Sequence, residues 1–562
     1  MFRPKRRQGS NPNWRDVAKQ KKDDQADLLK PYMIPENELP SEDGVLEFLE
    51  TTDVFPELDR EIVNEANAFE LLKKMKEGTW TCKQVIMAYI KRATVAHQLT
   101  NCLTEIDFDA AIDRAKNLDK MRDQGIVLPL HGLPISLKDQ FNIKVLDTTL
   151  GYIGRANDPK ETEAALVTML KKLGANVFVK TNLPQSIMVA ETENFLWGLT
   201  TNPLNRKFTP GGSSGGESAL LLSKGSIIGW GTDLGGSVRI PQAMTGGYGY
   251  RPTHHRFPYR NVPVTCDGES HVPSVIGPMT RDFPSLVMIS KAILQEEPWN
   301  YDPICVPMPW NQTEFDNARS RKLRIGVLWD NNIVRPLPPV KRALEVAVEK
   351  LKAAGHDLIP FNAEEVEKAA FELSDTFFSV DGGEDVRRDL SKLNEPEHPA
   401  VTKLFQGKDS RSIYDYWNLQ VQKRKIQECY FERWKATAKK TKSGEPIDFI
   451  LGPALASSAV PLNKARGINY TKVYNLLNYP AVVFPAGAID KNVDLPASFE
   501  PRSDMEKNVM DLYDPEAMHG FPVNLQLAAR SFQDEKLLGG LTNILSDLDI
   551  SSYNLDESGL HI

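Results

Sequence analysis

The chain has 562 residues, of which 41% are hydrophobic and 25% are charged, and its formal net charge is −7. This composition is typical of a globular protein, and the acidic balance argues against a nucleic-acid-binding body, which would usually carry a basic excess. No stretch has the roughly 18 consecutive apolar residues of a membrane span, and no apolar segment follows the basic residues Arg3, Lys5, Arg6 and Arg7, so we expect neither a membrane span nor a secretory signal.

The N-terminal part of the chain is polar and has prolines at Pro31, Pro35, Pro40 and Pro56. We interpret residues 1–60 as an extension that wraps the body, and residues 61–562 as a single domain, because no linker divides them. The next segment predicts one helix, because apolar residues recur at three-residue intervals; they are Val63, Ala66, Phe69, Leu72 and Met75. Thr81 and Gln84 then predict a capping box at the start of another helix.

Helix and strand patterns alternate through the rest of the chain. A helix over residues 165–173, ended by Gly174 in a left-handed cap, precedes a buried strand at 177–179. A second helix around residues 344–351, ended by Gly355, lies between strands at 323–328 and 358–359. Further strands are predicted at 449–451, 481–484 and 523–527. This alternation predicts an α/β fold, with a large, mixed, mostly parallel, twisted β-sheet covered on both faces by helices.

Residues 361–445 differ from their surroundings because they are charged, helix-rich and aromatic. We interpret them as a helical insertion. Its aromatic side chains either pack in the core of the insertion or line a substrate pocket, and the sequence leaves both alternatives open.

The five cysteines, Cys82, Cys102, Cys266, Cys305 and Cys429, are scattered and form no CxxC pair. A disulfide framework and a structural zinc site are therefore disfavoured, and a reducing, cytoplasmic location is expected. No ligand cluster is visible, so we expect no metal or other cofactor. A homodimer is compatible with the sequence, which does not specify an oligomeric state.

Two glycine-serine runs suggest hydrolytic chemistry. The first is Gly211-Gly212-Ser213-Ser214-Gly215-Gly216, and the second contains Gly235-Gly236-Ser237. Glycines let the backbone approach a ligand, and successive N–H groups in such a turn form a nest that stabilises an anion. A hydrolytic site of this kind needs no histidine, because a lysine can act as the base, one serine as the proton relay and another serine as the nucleophile.

The first run also satisfies the GxSxG pattern of the α/β-hydrolase nucleophile elbow, with Ser213 as nucleophile and a later histidine as partner. The candidate histidines, each individually weak, are His254, His255, His271, His356, His398, His519 and His561. The segment before Gly211 is polar and ends in proline, which makes it a poor central strand. The elbow is therefore the less favoured alternative.

Taken together, these motifs resemble the amidase signature family of Ser-Ser-Lys hydrolases, and within it the fungal acetamidase and general amidase branch. The resemblance covers roughly residues 60–555. The motifs that carry it are Leu137-Lys138-Asp139, Lys180-Thr181-Asn182, residues 211–216 and 231–241, Pro252-Thr253, residues 277–281, Asn475-Leu476-Leu477 and Pro480-Ala481.

The resemblance implies a role for each residue of the candidate site. Lys138 would be the base, Ser213 the bridging serine and Ser237 the nucleophile. The backbone N–H groups of Leu234, Gly235, Gly236 and Ser237 would form the oxyanion hole, with Ser213 also beside the substrate.

Asp233 and Arg239 would orient the glycine turn. Simple surface charge and a clamp by Arg239 on a substrate carboxylate are the alternatives.

A general base at neutral pH must be partly uncharged, so we predict that burial strongly lowers the pKa of Lys138. The expected activity is hydrolysis of a small-molecule linear carboxamide, aliphatic or aromatic, such as acetamide, to a carboxylate and ammonia. A glutaminase subunit of a tRNA-dependent amidotransferase is the second hypothesis, and an α/β-hydrolase that uses Ser213 and a histidine is the third.

Overall fold

The computed structural model describes residues 13–40, 44–464, 469–496 and 498–550. The N-terminal basic cluster and His561, both singled out in the sequence, lie outside the described residues. Within these ranges no helix combines the length and the apolar character that crossing a bilayer requires.

A large β-sheet forms the centre of the molecule. Over the described residues it contains eleven strands, in the spatial order β1-β3-β2-β6-β8-β7-β12-β13-β11-β9-β10. A separate two-stranded ribbon consists of β4 and β5. The strands are β1 Leu103–Ile106, β2 Pro134–Lys138, β3 Asn176–Thr181, β4 Glu193–Asn194, β5 Gly198–Leu199, β6 Ile228–Asp233, β7 Tyr248–Arg251, β8 Val275–Thr280, β9 Arg324–Val327, β10 Asp357–Pro360, β11 Phe449–Pro453, β12 Ala481–Ala488 and β13 Pro522–Ala528.

The sheet is mixed, as predicted, but the expectation that it is mostly parallel is wrong. Parallel pairing occurs in two groups, β3-β2-β6 and β11-β9-β10. The strands between these groups, from β6 through β8, β7, β12 and β13 to β11, pair antiparallel, as do β1 and β3. The alternation of elements along the chain does not specify which strands become neighbours, and therefore it does not specify their relative direction.

Helices flank this sheet. They are α1 Trp14–Leu29, α2 Val45–Thr51, α3 Glu57–Val63, α4 Ala68–Glu77, α5 Cys82–Thr100, α6 Phe108–Asp123, α7 Ala165–Lys172, α8 Gly215–Leu222, α9 Arg239–Thr245, α10 Phe283–Gln295, α11 Gln312–Ser320, α12 Pro338–Ala353, α13 Glu364–Phe377, α14 Glu384–Ser391, α15 Pro399–Phe405, α16 Ile413–Ala436, α17 Lys472–Leu477, α18 Asp504–Asp511 and α19 Asp534–Asp547.

Apolar side chains are buried on both faces of the sheet. Successive side chains of a strand point to opposite faces, and along β12 Val482 and Phe484 join the largest core cluster while Val483 joins a different one. Several sequence predictions hold at this level. The capping box of Thr81 and Gln84 opens α5, and Gly174, with φ +94°, follows α7.

One helix prediction is wrong. The apolar stripe from Val63 to Met75 does not lie on one helix, because α3 ends at Val63 and α4 begins at Ala68. The side chain of Asn67 accepts a hydrogen bond from the backbone N–H of Glu70 and starts the new helix. A three-residue repeat also drifts away from the 3.6-residue period of a helix. The fully buried positions of α4 are Ala68, Leu71 and Met75, of which only Met75 belongs to the predicted stripe.

The N-terminal extension is helical where it is described, and α1 lies beside the edge strand β1. The side-chain amide of Gln25 donates to the backbone carbonyls of Leu103 (3.0 Å) and Thr104 (2.6 Å). Lys21 forms ion pairs with Glu105 (2.8 Å) and Asp147 (2.7 Å). These contacts place a helix against one exposed edge of the sheet, which would otherwise offer unpaired backbone groups.

Candidate active site

Lys138 is the last residue of β2, and its side chain is fully buried. Its Nζ lies 2.6 Å from Ser213 Oγ and 2.9 Å from Thr232 Oγ1. β2 lies between β3 and β6 and is parallel to both. The carboxyl ends of these three strands therefore meet at one edge of the sheet, where open α/β sheets commonly bind ligands.

The hydrogen bonds around Thr232 orient the amine of Lys138. Gln140 uses its Nε2 to donate to the carbonyl of Pro263 (3.0 Å), so its Oε1 is free to accept a hydrogen bond from Thr232 Oγ1 (2.7 Å). The Thr232 hydroxyl thus donates a hydrogen bond to Gln140 and accepts one from Lys138. Sequence reasoning missed Thr232 as a functional residue, because a threonine inside a buried strand carries no recognisable signal.

Burial lowers the pKa of Lys138 from 10.5 to about 7, and nearby Asp233, Glu217 and Asp139 offset part of this effect. At neutral pH a substantial fraction of such an amine is uncharged and has a lone pair available. Ser213 Oγ is positioned to be the group that it deprotonates.

Ser213 belongs to a tight segment between residues 211 and 214 that leads directly into α8. The peptide bond between Gly212 and Ser213 is cis. Three residues after Ser213, Gly216 lies so close to the backbone of Asn182 that an added Cβ would be 2.3 Å from its nitrogen. No strand precedes this segment, as the polar sequence before Gly211 indicated. α8, which follows, is almost entirely buried.

The second glycine-serine run forms the connection between β6 and α9, and it lies directly against the first. The backbone N–H of Ser214 donates to the carbonyl oxygen of Ser237 at 3.2 Å. Lys138, Ser213 and Ser237 are therefore neighbours in the fold. Leu234, Gly235 and Ser237 are partly exposed, whereas Lys138 and Ser213 are buried, so this connection is the accessible side of the site. We name residues 234–238 the catalytic turn, after the role that we propose for them below.

Asp233 and Arg239 bracket the catalytic turn, and both are fully buried. Arg239 donates to Asp233 from Nε and from Nη2, each at 3.0 Å. Asp233 Oδ1 also accepts from the backbone N–H of Gly236 (2.8 Å) and from the amide of Asn475 (2.8 Å). Burial alone would raise the pKa of Asp233, but the Arg239 guanidinium and these hydrogen bonds outweigh it and bring the value to about 2.

One predicted oxyanion donor is therefore already engaged. The N–H of Gly236 faces the Asp233 carboxylate, while its backbone has φ +129° and leaves no room for a Cβ, which would lie 2.3 Å from Thr471 Oγ1. Arg239 Nη1 donates to the carbonyl of Thr471 (2.9 Å). The guanidinium is occupied by protein groups, which leaves little of it for a substrate carboxylate.

Glu217 is a buried carboxyl group close to the site that sequence reasoning missed. It lies in the first turn of α8, is fully buried and is hydrogen-bonded to Ser136 Oγ (2.6 Å) and Thr181 Oγ1 (2.8 Å). Burial raises its pKa from 4.5 to about 8, and the two hydroxyls and Lys138 lower it only in part. The available signal was an acidic residue inside an otherwise small and apolar run, since burying a lone charge is costly.

Asp139 and Lys180 extend the buried polar network away from the site. Asp139 Oδ2 accepts hydrogen bonds from the backbone N–H groups of Thr149 (2.9 Å) and Leu150 (3.0 Å). Lys180 Nζ lies 3.8 Å from Asp139 Oδ1 and donates to the carbonyl of Asp147 (2.6 Å). Asp147 is the residue that pairs with Lys21 of α1, so the N-terminal helix is linked to the loop after Lys138.

The histidines make their hydrogen bonds elsewhere. In the described part of the chain no histidine ring is hydrogen-bonded to Ser213; for example, His356 contacts Asp547, and His271 contacts Tyr416. Over the same residues no group of three or more His, Cys, Asp or Glu side chains is arranged to hold a metal ion. All five cysteines are free.

The chain is similar to known proteins over most of its length. The family model described as Amidase matches residues 84–538. The chain is 43% identical over 485 residues to Amidase 1 of Gibberella moniliformis, covering 86% of this chain and 92% of that protein. It is 39% identical over 509 residues to an acetamidase of Emericella nidulans, covering 89% and 92%. A solved structure described as fatty acid amide hydrolase superposes with a TM-score of 0.89 at 31% identity, covering 96% of each chain.

Proposed function

Because this chain belongs to the Amidase family and is a hydrolase that acts on amides, we propose that Ser237 is the nucleophile, Ser213 the proton relay and Lys138 the general base. The observation that carries the proposal is the 2.6 Å contact between Lys138 Nζ and Ser213 Oγ in a buried setting that lowers the lysine pKa to about 7.

The first half of the reaction forms an ester on Ser237. Ser237 Oγ attacks the amide carbonyl carbon and gives its proton to Ser213 Oγ, while the proton of Ser213 moves to the neutral amine of Lys138, which becomes an ammonium group. When the C–N bond breaks, the leaving nitrogen takes a proton from Ser213, which regains one from Lys138. This return is necessary because an unprotonated amide nitrogen is a very poor leaving group.

Water completes the cycle through the same groups. A water molecule gives one proton to the relay and adds to the ester carbonyl. The carboxylic acid leaves as Ser237 Oγ recovers its proton. Lys138 is neutral again at the end, so the enzyme needs a base that both accepts and returns a proton within one turnover.

We assign the oxyanion hole to backbone N–H groups of the catalytic turn, those of Leu234, Gly235 and Ser237. The N–H of Gly236, which faces Asp233 at 2.8 Å, holds the shape of the turn. Donors fixed in advance toward the developing negative charge are commonly the largest catalytic term, and the loss of one costs about 10²–10³ in rate.

The proposed substrate is a small linear carboxamide, aliphatic or aromatic, such as acetamide, and the products are a carboxylate and ammonia. The names of the acetamidase relatives support a small substrate. The limited space beside the catalytic turn also supports a small substrate, because the ring of Phe378 lies 3.2 Å from where a Cβ on Gly235 would be.

A fluorophosphonate probe followed by peptide mapping tests the assignment. We expect the label on Ser237, together with ammonia release from acetamide and none from a Ser237→Ala variant that retains the wild-type melting temperature. Label on Ser213 would instead identify a nucleophile elbow. Ammonia release from glutamine but not from acetamide would favour the glutaminase.

A further inference from the structure

A partly exposed ion pair lies beside the catalytic turn. Lys472 is the first residue of α17, and the residue before it, Thr471, donates its hydroxyl proton to the carbonyl of Gly235 (2.7 Å). The Cβ of Lys472 is 3.7 Å from the position that a Cβ on Gly235 would occupy. The amine of Lys472 forms a short ion pair with Asp375. The charged side chain of Lys472 therefore starts directly beside the backbone of Gly235, which is proposed to bind the oxyanion.

The helical insertion supplies the other groups around this ion pair. Asp375 lies in α13, and Phe378 follows at the end of that helix. Lys472 Nζ lies 3.7 Å from the ring centroid of Phe371 and 5.9 Å from that of Phe378. Its side chain is only 11% exposed, whereas that of Asp375 is 44% exposed. The ammonium is therefore enclosed by aromatic rings, whereas the carboxylate is partly accessible to solvent.

The surface formed by Lys472, Asp375 and the neighbouring aromatic rings, here called the ion-pair surface, is a poor one for a long hydrocarbon chain. An aliphatic chain that packed here would displace water from the half-exposed carboxylate and gain no hydrogen bond in return, which is unfavourable. A short acyl group ends before it reaches the carboxylate and avoids this cost. Burial lowers the pKa of Lys472 and the neighbouring Asp375 raises it, so charge on the amine depends on the intact pair.

We propose that the Lys472–Asp375 ion pair determines acyl-chain specificity by excluding long aliphatic amides and restricting the enzyme to short ones. The inference rests on the proposed function, because it needs Ser237 as the nucleophile beside this ion-pair surface. It assigns the insertion a specificity role, through Asp375, in addition to its own core packing.

The test compares kcat/KM for acetamide and decanamide in the wild type and in a Lys472→Met/Asp375→Leu double variant, which replaces the two charges by apolar side chains of similar size. We expect the ratio of decanamide to acetamide to rise at least about tenfold, the discrimination typical of a small change in an apolar pocket. The matched control is Lys507→Met/Asp511→Leu, which removes an exposed ion pair on α18 and should leave the ratio unchanged.

An unchanged or lower ratio in the Lys472→Met/Asp375→Leu variant would overturn the proposal, provided that the fluorophosphonate probe still labels Ser237. The wild type gives a second test that does not depend on the folding of any variant, because a kcat/KM that increases steadily from acetamide to decanamide would also overturn it. Failure of the proposed function gives a different result, since either Ser237 would remain unlabelled or the wild type would not hydrolyse acetamide.

Discussion

At Lys138, burial and hydrogen bonding act on the same amine in different ways. Burial lowers its pKa to about 7. The Thr232–Gln140 pair fixes one N–H of the amine on Thr232, which allows the single lone pair of the neutral amine to face Ser213. The sequence analysis predicted the lowered pKa from the role of general base that the family resemblance implies for Lys138. It did not predict Thr232, because the role of that hydroxyl depends on Gln140 being held by Pro263 from a distant part of the chain.

Replacing Thr232 by valine tests this orientation. Thr232→Val keeps the shape of the side chain but removes the hydrogen-bond acceptor for Lys138. We expect kcat to fall about 10- to 100-fold with little change in KM, because this is the cost of losing a hydrogen bond that involves a charged group. Thr232→Ser should restore most of the activity. Thr542→Val removes a buried threonine hydroxyl on α19 and is the control. Steady-state kinetics with acetamide measure the effect, and an unchanged kcat in Thr232→Val would remove Thr232 from the mechanism.

At the scale of elements, the catalytic turn depends on a buried ion pair and on its glycines. The Arg239 guanidinium, at one end of the turn, donates two hydrogen bonds to the Asp233 carboxylate at the other end, and Asn475 of α17 contacts both side chains. The sequence analysis interpreted the glycines of this turn as an anion-binding nest. The contact with α17 could not be predicted, since more than two hundred residues separate the partners.

Gly236→Ala should inactivate the enzyme. An added Cβ would meet Thr471 Oγ1 at 2.3 Å in a backbone with φ +129°, so the turn must shift and the oxyanion donors with it, at a cost of about 10²–10³ in kcat. Gly78→Ala is the matched control, because Gly78 also has positive φ (+79°) but nothing lies within 4 Å of the added Cβ. We would measure kcat for acetamide, and equal activity of the two variants would show that the turn tolerates a side chain.

Other elements show where local sequence is sufficient and where it is not. The start of α5 and the end of α7 were correctly predicted because a capping box and a terminal glycine act within one helical turn. The break between α3 and α4 was missed because a regular apolar repeat was given more weight than the capping ability of Asn67.

At the scale of the whole molecule, the α/β class followed from alternating elements, but strand direction in the middle of the sheet did not. β7 and β8 pair with each other, and β7 also pairs with β12, which lies far along the chain. Local patterns contain no information on such neighbours. The same limit applies to Glu217, whose partners Ser136 and Thr181 come from β2 and β3.

Glu217 should make global stability depend on pH. Its pKa in the folded state is raised from 4.5 to about 8, so between these values the folded state binds more protons than the unfolded state. The stabilisation from this group is complete below pH 4.5 and is lost as the pH rises through about 8. We therefore expect the melting temperature of Glu217→Gln, relative to the wild type, to increase across this window.

Glu349→Gln, on the exposed face of α12, controls for the loss of one acidic charge. Differential scanning calorimetry at several pH values gives the comparison. A constant difference in melting temperature between Glu217→Gln and the wild type would mean that Glu217 has the same protonation state in the folded and unfolded chains.

The central claim is that Lys138 is a partly uncharged amine at neutral pH, and its titration tests this most directly. ¹³C NMR of a protein labelled at the lysine Cε, with the Lys138 signal assigned by its loss in Lys138→Met, should show a midpoint near pH 7. The pH dependence of kcat/KM for acetamide should rise and level off around the same value. A Lys138 signal that titrates near 10.5, the ordinary lysine value, would contradict the mechanism.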